Sequence, residues 1–118
     1  MRNLILLCSL ATFISCSKYS SEINFEIQNN SEKSLSNIKF FTSEKKEVLT
    51  FGELKSGQAE NGTLSMKENK SDGHYILEFT NANGDIKRYS KGYYSNGKPH
   101  NNNVLFEIQN DSVLSHFK

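Results

Sequence analysis

The chain has 118 residues, 14 Lys and Arg against 13 Asp and Glu, two cysteines and no tryptophan. That length accommodates one small domain, and two cysteines cannot build the disulfide framework of a small secreted scaffold. A net charge of +1 argues against nucleic acid as a partner, because a phosphate binder needs clustered positive charge to displace counterions.

At the N-terminus, Met1-Arg2-Asn3 precedes an apolar run from Leu4 to Ile14, and Ser15-Cys16-Ser17-Lys18 follows it. A positive start, about 11 apolar residues and small residues beyond them form the three-part pattern of a secretory signal. A membrane-spanning helix needs roughly 20 apolar residues, so this run does not span. Phe13-Ile14-Ser15-Cys16 resembles the lipobox of bacterial lipoproteins, with Phe13 standing where leucine is usual. The resemblance implies that the signal is cut before Cys16, that the Cys16 thiol carries diacylglycerol, and that the new amine is often acylated. It divides the chain into a signal peptide (1–15), a lipidated cysteine with its tether (16–22) and a folded domain (23–118). Two or three acyl chains hold a protein stably at about 0.8 kcal/mol per buried CH₂. The expected location is therefore the bacterial cell envelope, membrane-anchored by lipid. Cleavage by ordinary signal peptidase after Ser17 is the alternative. Neither cut leaves a pair of cysteines for an internal disulfide, and loss of Arg2 balances the charges.

From Ile23 the pattern has the period of 2 that marks half-buried strands. Ile23, Phe25 and Ile27 alternate with polar residues. Ile38 and Phe40 lead the next segment and Val48–Phe51 follow. Leu64 with Met66, then Tyr75, Leu77 and Phe79, alternate in the same way. A short segment from Ile86 ends near Ser90. Val104, Phe106 and Ile108 precede a closing run from Val113 to Phe117. Asn29-Asn30-Ser31, Gly52 with Gly57, Asp72-Gly73, the stretch 81–85 and Asn110-Asp111 supply turn chemistry between them. Seven or eight short strands at this spacing predict an all-β, small antiparallel sandwich of immunoglobulin-like or transthyretin-like form. At most a single helical turn is expected, within 53–60.

The stretch Phe25-Glu26-Ile27-Gln28-Asn29-Asn30-Ser31 recurs as Phe106-Glu107-Ile108-Gln109-Asn110-Asp111-Ser112. The similarity stops there, so either both copies meet the same local need, a strand and then a side-chain-stabilised turn, or the two strands are neighbours sharing one polar face. Direct pairing of Glu26 with Glu107 would be repulsive, and both sit on the outward phase, where solvated glutamate is ordinary rather than a glycosidase pair. His74, His100 and His116 share no metal-ligand spacing. The stretch 81–85 fails the EF-hand pattern, with Ile86 and Gly92 standing where glycine and glutamate belong. No Gly-x-Ser-x-Gly elbow or phosphate-binding glycine pattern is present. No catalytic residue, metal or cofactor is therefore expected.

The segment 89–103 is the most unusual in composition. It holds three of the five tyrosines and the single proline. Tyrosine, serine, glycine and asparagine are the residues of adaptable binding loops, and long loops in compact domains are often functional. The expectation is a long connection whose Tyr89, Tyr93, Tyr94, Asn96, Lys98 and His100 meet an envelope protein or a glycan, with a covering role for the tyrosines at the end of the core as the plainer reading. A non-enzymatic binding module is the leading function, an inhibitor that plugs a lysozyme or protease is the alternative, and a secreted enzyme ranks third.

Overall fold

Residues 21–118 are described by a computed structural model; the signal segment, the lipobox and Cys16 lie outside the described residues. The alternating segments become nine strands: β1 (Glu22–Asn29), β2 (Ser36–Thr42), β3 (Val48–Phe51), β4 (Ala59–Ser65), β5 (Gly73–Thr80), β6 (Ile86–Ser95), β7 (Lys98–Pro99), β8 (Asn103–Ile108) and β9 (Val113–Phe117). They form two sheets, in the orders β4-β1-β8-β9 and β3-β2-β5-β6-β7. The protein is a small β-sandwich, with no helix among the described residues. The segment 53–60 holds no helical turn: Leu54 bridges to Leu35 instead, and β4 is under way by Ala59. Glu22, assigned to the tether, is already the first residue of β1.

The inner faces carry the core. Phe40 is fully buried, with its ring centroid 4.8 Å from Phe25, 5.3 Å from Phe106 and 6.0 Å from Tyr75. Ile23, Ile27, Leu64, Leu77 and Ile108 fill the space around these rings. Each such side chain contributes roughly 1.5–3 kcal/mol on leaving water. Gly62 on β4 faces Phe25, and a Cβ there would lie 3.0 Å from the ring, so the edge strand makes room for the aromatic by omitting a side chain. The Tyr75 hydroxyl finds no hydrogen-bond partner among the described residues. Burial, with Tyr94 adding a little, pushes its phenol far above the ordinary range and keeps it neutral.

One pairing departs from the antiparallel expectation: β1 and β8 run parallel. Hairpin partners must be antiparallel, whereas strands separated by a long crossover can run side by side, and six strands intervene here. These two strands carry the repeated heptapeptide, so the copies are neighbours. They are staggered by two residues. Phe25 faces Val104, Ile27 faces Phe106, and Gln28, not Glu26, faces Glu107. The stagger keeps all the apolar residues inward and separates the two glutamates. Glu107 instead meets His116 of β9, 3.0 Å away.

The two ends of the sandwich differ. At one end the Ser21 carbonyl accepts a hydrogen bond from the Met66 N–H at 2.7 Å, and Ser21 lies beside Asn96, Gly97 and Lys98. At the other end the turns after β1, between β5 and β6, and between β8 and β9 converge.

Candidate binding cleft

The structure divides the six residues of the expected loop into three groups. The segment is not a long connection, because β6 continues through Ser95 and a tight turn at Asn96-Gly97 sends the chain back into β7. Asn96 and Gly97 have φ of 51° and 73°, the double positive φ of a type I′ hairpin. Gly97 is obligatory: a Cβ would lie 1.8 Å from the Asn69 carbonyl oxygen, and its N–H donates to the Ser71 carbonyl at 2.7 Å.

Tyr94 belongs to the core. It is 0 % exposed, and its ring lies 5.6 Å from Tyr75. Its hydroxyl donates to Glu44 Oε2 at 2.6 Å. Glu44 Oε1 in turn accepts the Lys70 and Ser71 N–H groups at 3.0 and 3.2 Å. The Lys70 bond and then the Tyr94 bond hold the Glu44 carboxyl below the usual carboxylate range. Burial, reinforced by Glu44, pushes the Tyr94 phenol up. Asn69 joins the cluster by accepting from Thr42 Oγ1 at 2.7 Å. The arrangement staples the β2–β3 turn to the 66–72 loop, so it is structural, and Tyr94 cannot reach a partner.

Tyr93, Asn96, Lys98 and His100 stay at the Ser21 end. Tyr93 is 68 % exposed and meets the His100 ring edge-to-face, 5.1 Å away. His100 Nε2 also hydrogen-bonds Ser95 Oγ at 2.8 Å, and the Asn96 N–H donates to Asp72 Oδ1 at 2.9 Å. Lys98 is exposed beside them.

Tyr89 alone faces the opposite end. It is half-buried and stacked on Phe79 of β5, with centroids 5.9 Å apart and an interplanar angle of 15°. It lines a cleft of about 530 Å³ among the three converging turns. Sequence reasoning missed the rest of this cleft because its residues come from turns far apart in the chain. The turn dipeptides Asn81-Ala82, Gly84-Asp85 and Asn110-Asp111 were visible signals.

The cleft is rigidly framed. Asn81 Oδ1 accepts the N–H groups of Asn83 and Asp85, both at 3.0 Å. Asn110 Oδ1 accepts the Glu32 N–H at 2.9 Å, tying the β8–β9 turn to the turn after β1. Asn29, 0 % exposed, sits beneath: its Nδ2 donates to the Lys33 and Leu54 carbonyls at 2.9 and 2.8 Å, and its Oδ1 accepts from the N–H and hydroxyl of Ser31. The amide NH₂ groups of Asn81 and Asn110 donate to no other described residue. Asn81, Asn110, Asp85, Asp111, Lys33 and Lys87 line the cleft beside the Tyr89 ring, a mixed set suited to hydrogen-bonding and stacking a polar ligand. Among the described residues no group of three or more His, Cys, Asp or Glu is placed to hold a metal ion.

No protein-family model matches the chain, and no curated protein matches it. Among solved structures it is similar to the NMR structure of a protein from Eubacterium rectale, with a TM-score of 0.58 and 12 % identity over 86 % of this chain and 93 % of that one. Likeness at that identity extends to the fold.

Proposed function

We propose that this protein is a lipid-anchored, non-enzymatic binding module of the bacterial cell envelope, held by Cys16 and meeting an envelope protein or glycan through the cleft at Tyr89. One observation carries the reading: Ser21, where the tether enters the sandwich, and the cleft occupy opposite ends. A domain tethered at one end presents the other to its surroundings, and the cleft there has an aromatic wall and unspent hydrogen-bonding groups.

The anchor and the site are tested separately. Cys16→Ser is expected to move the protein from the membrane to the soluble fraction of cells and to abolish labelling by a clickable palmitate; persistent labelling would exclude lipidation at Cys16. For the site, a photoreactive residue is placed at Lys87, on the cleft, or at Thr50, on the outer face of β3. Crosslinks formed in living cells should come from position 87 and be absent from position 50. Equal yields would remove the cleft as the site, and a lysozyme or protease captured at position 87 would make the module an inhibitor.

A further inference from the structure

Tyr93 is a large aromatic side chain that the fold leaves in water, with 68 % of its surface exposed. It is also held in place. The His100 ring packs edge-on against it at 5.1 Å, His100 is fixed by Ser95, and both residues flank a type I′ hairpin whose glycine is locked against the Asn69 carbonyl. An exposed but preorganised aromatic pair loses little entropy on contact with another surface.

Its position identifies that surface. Ser21 lies beside the tip of the same hairpin, and Cys16 is five positions before Ser21. At about 3.5 Å per residue, a fully extended tether spans no more than about 18 Å. Tyr93 and Ile86 stand seven positions apart on β6, or about 23 Å at 3.3 Å per residue. With the acyl chains in the bilayer, the hairpin end is within reach of the lipid headgroups, and an upright domain holds its far end clear of them.

We infer that the Tyr93–His100 pair is a membrane-contact element that seats the hairpin end in the bilayer interface and so holds the Tyr89 cleft away from the membrane. This inference rests on the anchor reading of Cys16. Tyrosine suits the role because its ring is apolar and its hydroxyl stays wet at headgroup level. The charge at this end is mixed and does not drive the contact: Lys67, Lys70 and Lys98 stand among Glu44 and Asp72, with Glu68 next to Lys67 in the chain. The acyl chains supply affinity and the aromatic pair supplies orientation, so the contact should be insensitive to salt.

The chain contains no tryptophan, which makes a single introduced one an unambiguous reporter. Full-length protein processed in a bacterial host is reconstituted as Tyr93→Trp, and separately as Ile86→Trp, into phosphatidylethanolamine–phosphatidylglycerol vesicles with and without bromine-labelled acyl chains. Ile86 is 71 % exposed at the far end and serves as the control. The expected result is a blue-shifted emission for Tyr93→Trp, quenched at least twofold by the brominated lipid, with Ile86→Trp unquenched and no change between low and high salt. A protein that carries the acyl mass and sediments with the vesicles, yet shows equal quenching at both positions or none, would overturn the orientation while leaving the anchor standing. Absence of the acyl mass on Cys16 would overturn both.

Discussion

Replacement of Tyr94 by alanine should lower the unfolding free energy by about 3–5 kcal/mol, the range for truncating a buried aromatic, whereas Tyr93→Ala should change it by no more than about 0.5 kcal/mol, as for an ordinary surface site. The two residues are adjacent, so the contrast isolates burial. The Tyr94 ring packs on Tyr75 and lies over Gly73, where even a Cβ would come within 2.5 Å of the phenol oxygen. No neighbour can collapse into the space it vacates without moving β5. Loss of the hydroxyl also leaves Glu44 with only its two backbone donors, Lys70 and Ser71, and so detaches β6 from the staple between the β2–β3 turn and the 66–72 loop. Tyr94→Phe keeps the ring and should cost about 1.5–3 kcal/mol, the range for a hydrogen bond to a charged group. Urea denaturation of the three variants gives the comparison, and for a domain of this size the alanine variant should melt at least about 12 °C lower. A Tyr94→Ala variant as stable as Tyr93→Ala would return Tyr94 to the surface.

The same pair explains which part of the fold was readable in sequence. Strands β1 and β8 alternate strictly in burial, and β5 does so except at Ile76, which is buried between Tyr75 and Leu77; the inward residues of all three are those the period of 2 selects. Strand β6 does not alternate throughout. Tyr89 and Tyr94 both face inward although they are an odd number of positions apart, which a regular strand forbids. The register shifts between Gly73 and Tyr75 on the partner strand. Gly92, at φ 64°, is the extra residue, and a Cβ on it would strike the Phe117 ring. A bulge of this kind resets the phase of the strand, so alternation read from either side runs out and leaves the appearance of a loop. The Asn96-Gly97 dipeptide was the stronger signal, since it marks a two-residue hairpin and would have turned the supposed connection into β6 and β7. The first half of β4 was hidden for another reason. Ala59-Glu60-Asn61-Gly62 has no strand-forming composition; its conformation comes from pairing with Gln28 to Phe25 on β1, a tertiary preference that overrides local propensity. The cleft was illegible because no single stretch of chain contains it.

Asn29→Ala is expected to cost about 3 kcal/mol, even though asparagine in a turn is commonly replaceable. The repeated heptapeptide shows why the two copies differ in weight. Asn29 and Asn110 occupy the same place in their copies, but the two-residue stagger between β1 and β8 puts them in different surroundings. Asn110 projects past the end of β1 and makes one exposed bond, to the Glu32 N–H. Asn29 is sealed inside, and its amide serves Lys33, Leu54 and Ser31 from both ends. Four bonds at a net value near 1 kcal/mol each set the scale; the Leu54 carbonyl still accepts the Leu35 N–H at 3.0 Å, which reduces the loss, while the Ser31 N–H is left buried without an acceptor. Asn110→Ala should cost about 0.5–1 kcal/mol. Denaturation curves for the two variants test the ranking, and amide exchange supplies the local signature: in Asn29→Ala the Ser31 amide should lose protection more than any amide of β5. Because Asn29 positions the turn that carries Glu32 and Lys33 at the cleft, the same substitution should weaken crosslinking from position 87 at temperatures where the domain remains folded. Equal costs for Asn29→Ala and Asn110→Ala would mean that the buried amide is not what orders this end of the sandwich.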